Sequence, residues 1–174
     1  MLDWLNRDGK LLLLSRATRA FAYGFLSVVL GIYLKLSGFD EVRIGLIMTA
    51  TLISGAFFTL GASLYADRFG RRKVLILFAL LMALAGIVFA LTKDYLFLLL
   101  AALIGTINVT GTEVGPFLSI EQAMIPQTCA ERRRTSAFAL YSFVGTFATA
   151  AGALLSGVPE LLQGFGMGLE ASFR

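Results

Sequence analysis

A chain of 174 residues that is 57% hydrophobic, with a mean hydropathy of +0.81, holds more apolar side chain than a soluble domain can bury. The absence of histidine and the single cysteine, Cys129, exclude a Cys/His zinc site, a histidine-based triad, a His-ligated haem and an intrachain disulfide, so no metal or cofactor is expected and a reducing compartment is indicated. The net charge of +4 could suit nucleic acid, but the cations stand in turns between apolar runs, which assigns them to membrane sidedness and leaves no nucleic-acid partner.

Residues 1–17 carry Asp3, Arg7, Asp8, Lys10 and Arg16 around the short run Leu11 to Leu14. Four leucines fall short of the roughly 7–15 apolar residues of a signal peptide, so this reads as a cytoplasmic, partly amphipathic lead-in. The first membrane crossing is expected over about 18–36. Only Ala20 to Leu34 is free of charge, so Arg19 and Lys35 are expected to snorkel to opposite interfaces. Within it Arg19, Tyr23, Ser27 and Gly31 recur every fourth residue as a polar stripe. Gly38 to Glu41 forms an outer turn, and a second crossing is expected over 44–66, uncharged throughout. Gly55, Thr59, Ala62 and Ala66 lie on one stripe of it, a pattern that lets helix backbones approach closely in lipid.

Ala66-Asp67-Arg68-Phe69-Gly70-Arg71-Arg72-Lys73 is a tight basic turn. Its cations hold it on the cytoplasmic side, Gly70 permits a backbone conformation closed to other residues, and Asp67 stands near the start of the following helix, where the dipole favours a carboxylate. The third crossing, 74–92, is apolar all round and is expected at the periphery. Lys93-Asp94 makes a short outer turn. The fourth crossing, 95–125, is uncharged as far as Thr112 and then includes Glu113, Pro116 and Glu121. Gly105, Asn108, Thr112, Gly115 and Ser119 share one face of it. Pro126 to Arg134 is a further cytoplasmic turn, closing with the basic cluster Arg132, Arg133 and Arg134. A fifth crossing, 135–158, carries the small-residue stripe Ala137, Gly145, Ala148 and Gly152. The tail 159–174 is too short and too mixed to cross, and is expected outside.

The expected fold is therefore all-α, a polytopic bundle of five transmembrane helices over 18–158. Eleven of the fifteen Lys and Arg fall on the face of the N-terminus, which places the N-terminus in the cytoplasm and the C-terminus outside, in the inner or plasma membrane.

Asp67, Arg68, Gly70, Arg71 and Arg72 match at the right offsets a known pattern, Gly-x-Leu-Ala-Asp-Arg-x-Gly-Arg-Arg/Lys. This turn resembles the loop between the second and third helices of major facilitator superfamily transporters. Ser63 stands in place of the first Gly, and Tyr65 in place of Leu. The resemblance implies a carrier of two six-helix bundles that rock about a central site, each bundle made of two inverted three-helix repeats. It likens this sequence to the N-terminal portion, with the sixth helix and the second bundle as partners outside it. It also implies that the first and fourth helices line the cavity, which makes Tyr23, Ser27, Asn108 and Thr112 the substrate candidates. Two bland readings stand beside that one: Ser and Thr bonded to their own helix, and Asn108 joining two helices. Asp67, Arg68, Gly70, Arg71 and Arg72 become a conformational-switch loop against the second bundle. The Gly-Pro-x-x-Gly-Gly run of many antiporters is missing from the fifth crossing.

Glu113 lies about 27 Å along the fourth crossing from Tyr95, at 1.5 Å per residue. It is either a proton-coupling carboxyl or an ion-pair partner of Arg16, Arg19 or the Arg132 to Arg134 cluster. For Glu121 an ion pair is the expected role. The implied function is part of a secondary transporter moving a small solute by alternating access, with Glu113 the candidate for proton coupling. The alternative is a non-transporting assembly or regulatory subunit. An intramembrane enzyme has no residues to work with, since no Ser/His dyad and no pair of intramembrane Asp residues is available.

Overall fold

The computed structural model describes residues 4–107 and 115–157. Its helices are α1 (Arg7–Leu36), α2 (Glu41–Phe69), α3 (Arg71–Leu91), α4 (Tyr95–Ile104), α5 (Pro116–Met124) and α6 (Arg134–Leu155), with two 3-10 turns, Ile125–Gln127 and Glu131–Arg133, between α5 and α6. The protein is an all-α helical membrane protein. Four helical segments among the described residues, Arg7–Leu36, Glu41–Phe69, Arg71–Leu91 and Glu131–Leu155, are long and apolar enough to cross a bilayer, and α4 is a shorter apolar helix.

Side chains start three of the helices. Asn6 Oδ1 accepts from Gly9 N at 2.9 Å, Asp40 Oδ1 from Arg43 N at 2.8 Å and Asp94 Oδ1 from Leu96 N at 2.9 Å, each satisfying a donor that the first turn leaves over. From the Asn6 cap the helix begins at Arg7 and runs unbroken into the first crossing, so residues 7–17 are part of α1. Asp8 stands in the first turn, where the dipole favours it, and Leu12 is buried. Between α2 and α3, Gly70 turns the chain with φ +92°, a conformation that glycine adopts without penalty.

The fourth crossing was expected as one helix; it is divided into α4 and α5, with Gly105 to Ile107 outside either helix. Two local causes are visible. A β-carbon at Gly105 would collide with the Ala85 methyl of α3, so the chain passes α3 at backbone distance, and Thr106 then turns with φ +50°. Pro116 opens α5 in the first turn, the position where its missing N–H is harmless. The two pieces pack at opposite ends of α2 and α3. Leu98 and Ala102 of α4 join Ile47, Ala50, Ala85 and Phe89, while Phe117 and Ile120 of α5 join Ala62, Ala66 and Phe78.

α1 and α6 meet more closely still. A β-carbon at Gly24 would strike the Thr149 carbonyl, and one at Gly152 the Phe21 carbonyl, so each helix presents glycine to the main chain of the other. By contrast α3 fully buries only Phe78, Ala85 and Phe89, and Ile76, Leu77, Leu80, Leu84, Ile87 and Leu91 stand exposed.

Candidate functional site

The polar centre of the bundle joins α1, α5 and α6. Glu121 on α5 is 1% exposed, and a carboxylate so buried must be both paired and hydrogen-bonded. Arg19 Nη2 of α1 donates to Glu121 Oε2 at 2.7 Å, and the Tyr141 hydroxyl of α6 donates to the same oxygen at 2.7 Å. Two cations of α1 are held against aromatic faces, with Arg19 4.3 Å from the Phe117 ring centroid and Arg16 4.7 Å from that of Tyr141. Arg19 Nη1 also donates to Ser15 Oγ at 2.6 Å. One carboxylate oxygen thus ties three helices together.

Arg19 was expected to snorkel to an interface; it is 6% exposed and turned inward instead, because Glu121 offers it a partner inside the bundle. Sequence reasoning missed Tyr141 as part of this centre. The available signal was its place between Ala137 and Gly145 at spacings of four, a phenol interrupting a stripe of small residues.

Tyr23, one turn along α1 from Arg19, is 2% exposed. Its hydroxyl lies 3.2 Å from both the Thr106 carbonyl and Met82 Sδ, and Thr106 Oγ1 in turn donates to the Phe78 carbonyl at 3.3 Å. In this arrangement Tyr23 joins α1 to the non-helical segment Gly105 to Ile107 after α4. Ser27 is half-buried, and its hydroxyl donates to the Gly24 carbonyl of its own helix at 2.8 Å. Asn108, Thr112 and Glu113 lie outside the described residues.

At the basic turn, Arg71 Nε donates to Asp67 Oδ1 at 2.7 Å and Arg71 Nη1 to the Ala123 carbonyl at 2.8 Å. Arg71 therefore links the α2–α3 turn to the last turn of α5, closing one end of a cleft of about 220 Å³ between α2 and α5 lined by Ala62, Ser63, Ser119 and Ile120. Arg68 and Arg72 are exposed. In the other basic cluster, Arg132, Arg133 and Arg134 are also exposed; Arg134 pairs with Glu131 at 3.2 Å, and Arg133 lies 5.9 Å from the Trp4 ring centroid.

Residues 12–167 match the family model of the Major Facilitator Superfamily. The chain is 37% identical over 163 residues to an uncharacterized membrane protein of Saccharomyces cerevisiae, an alignment covering 93% of this chain and 36% of that protein. It is 30% identical over 134 residues to the arabinose-proton symporter of Bacillus subtilis, covering 73% of this chain and 28% of the symporter. The chain thus spans about a third of the length of the curated relatives it matches. No solved structure matches it. A buried ion cluster joining three apolar helices, a basic turn clasped to a fourth crossing and a family match over nearly the whole sequence lead to one assignment: this chain belongs to the Major Facilitator Superfamily.

Proposed function

We propose that this chain is part of a secondary transporter that moves a small solute across the membrane by alternating access, in assembly with further helices that supply a second bundle. The observation that carries the reading is the clasp of Arg71, which bonds Asp67 within the turn and the Ala123 carbonyl on α5. Rocking requires each half of a carrier to move as a body while charge pairs at its seam form and break. The clasp makes the α2–α3 turn and α5 one unit, and the Arg19–Glu121–Tyr141 cluster joins α5 to α1 and α6. Asp67, Arg68, Gly70, Arg71 and Arg72 then serve as the switch loop facing the second bundle. The cation distribution supports an orientation with this loop, the N-terminus and Arg132 to Arg134 in the cytoplasm.

Proton coupling through Glu113 belongs to the same proposal. Tyr23, Ser27, Asn108 and Thr112 stay as cavity candidates. Of the two curated relatives, the symporter is the one whose name states a solute, arabinose moved with protons, so sugar-driven proton flux is the first assay to run. Proteoliposomes carrying the complete gene product are expected to show solute-driven proton flux that Glu113→Gln abolishes, and those carrying this chain alone to show none. Glu113-dependent uptake by the chain alone would refute the need for a second bundle. Absence of flux in both, across sugars, amino acids and anions, would favour the assembly-subunit alternative.

A further inference from the structure

Two segments far apart in sequence form one surface at an end of the bundle. Leu5 pairs with Cys129 in an antiparallel bridge, and Asn6 N donates to the Thr128 carbonyl at 3.0 Å. Trp4 packs against the buried cluster of Ile125, Ala137 and Tyr141, and the Arg133 guanidinium sits 5.9 Å from its ring centroid. This pairing sets the first turn of α1, with exposed Arg7 and Lys10, beside exposed Arg132 and Arg133. The carboxylates near them are few. Glu131 is engaged by Arg134 at 3.2 Å, Asp8 is exposed in the first turn of α1, and among the described residues no carboxylate lies within ion-pair distance of Arg7, Lys10, Arg132 or Arg133.

Deeper in the bundle, Arg19 finds its counter-charge within the protein, at Glu121. For these four cations the described residues supply none within ion-pair distance, and an anion from outside the bundle can. One of the four cations, Arg133, stands against the only tryptophan of the sequence, and an indole at the end of a membrane helix sits at headgroup level, with its ring on acyl chains and its N–H toward polar groups. Cations clustered just beyond a membrane helix are complementary to acidic headgroups.

We propose that Trp4, Arg7, Lys10, Arg132 and Arg133 form a binding surface for the headgroup of an anionic phospholipid, selecting it over zwitterionic lipid. The site stands on the bundle spanning a membrane and is independent of which solute is carried or whether any is. Lipid binding also fastens the start of α1 to the α5–α6 turn, since the headgroup bridges cations from both.

Trp4 emission reports on this surface alone, because no other tryptophan is present. The full chain in nanodiscs is expected to be quenched more by brominated phosphatidylserine diluted in plain phosphatidylcholine than by brominated phosphatidylcholine diluted equally in plain phosphatidylserine. The Arg132→Gln/Arg133→Gln variant should weaken the preference roughly fivefold per cation removed. Arg132→Lys/Arg133→Lys should keep it, and Arg68→Gln/Arg72→Gln, which removes the same charge at the α2–α3 turn, should leave it unchanged. Because the nanodisc leaflets are alike, the outcome does not depend on orientation. Equal quenching by the two lipids, an equal loss in the Arg68→Gln/Arg72→Gln variant, or abolition by inorganic phosphate at matched ionic strength would overturn the proposal.

Discussion

Replacing Glu121 by Met tests the polar centre most severely. The change removes the acceptor of two hydrogen bonds, from Arg19 Nη2 and from the Tyr141 hydroxyl, both at 2.7 Å and both to Oε2. It also leaves the Arg19 guanidinium, 6% exposed, facing a thioether. Breaking a buried ion pair from one side costs about 3–5 kcal/mol, and the lower part of that range is expected here because Arg19 keeps Ser15 Oγ and the Phe117 ring. Glu121→Gln should cost roughly half as much, since a single amide carbonyl oxygen can accept both bonds and only the charge is lost. The Arg19→Met/Glu121→Met double variant should recover part of the loss, because Arg19 no longer leaves a charge without its carboxylate while Arg16 stays buried over the Tyr141 ring, and the coupling between the two sites should reach about 2 kcal/mol. Reversible unfolding in mixed micelles by titration with dodecyl sulfate, followed by helical circular dichroism, gives these differences. A Glu121→Met penalty below about 1 kcal/mol, or a double variant as unstable as the sum of the singles, would refute the three-helix tie.

Three further outcomes follow from the packing and the turn. Gly24→Ala and Gly152→Ala should each destabilise by about 1–3 kcal/mol in the same assay, since the added methyl meets a main-chain carbonyl of the partner helix, whereas Gly55→Ala and Gly86→Ala, with open space around them, should be neutral or mildly stabilising. Arg71→Ala should change stability by no more than about 1 kcal/mol because its Asp67 partner is exposed, yet it should lower bifunctional cross-linking between Ser63→Cys and Ser119→Cys severalfold in a Cys129→Ser background as the turn leaves α5. Tyr23→Phe removes one buried hydrogen bond to the Thr106 carbonyl and should cost about 1 kcal/mol; a change within error would show that the hydroxyl does not hold the segment after α4.

The membrane fold was legible because bilayer thickness sets the length of an apolar run, and the uncharged residues 44–66 lie wholly within α2 (Glu41–Phe69). The turn itself was legible because its geometry is local, with Asp67, Gly70 and Arg71 within five residues of one another, whereas the bond from Arg71 to the Ala123 carbonyl was not. What escaped was decided by partners distant in the chain. Arg19 reads as an interfacial cation until Glu121, 102 residues later, is placed beside it. Residues 7–17 look solvated by composition, yet their helix is fixed by the Asn6 cap and by Leu13 and Trp4 packing on the cluster of Ile125, Ala137 and Tyr141. The division of the fourth crossing could be suspected from Pro116 alone, but the close passage of Gly105 by Ala85 depends on where α3 lies, which periodicity does not encode.

In the proposed orientation the basic turns of the bundle share one face of the membrane, with the turn at Lys93 on the other. α3, 21 residues from Arg71 to Leu91, separates the two turns by about 31 Å at 1.5 Å per residue. Membrane-impermeant maleimide labelling of single cysteines in sealed vesicles, in a Cys129→Ser background, tests this directly. Arg72→Cys and Arg132→Cys should react from the same side and Lys93→Cys only from the opposite one. Labelling of Lys93→Cys and Arg72→Cys from the same side would contradict the account.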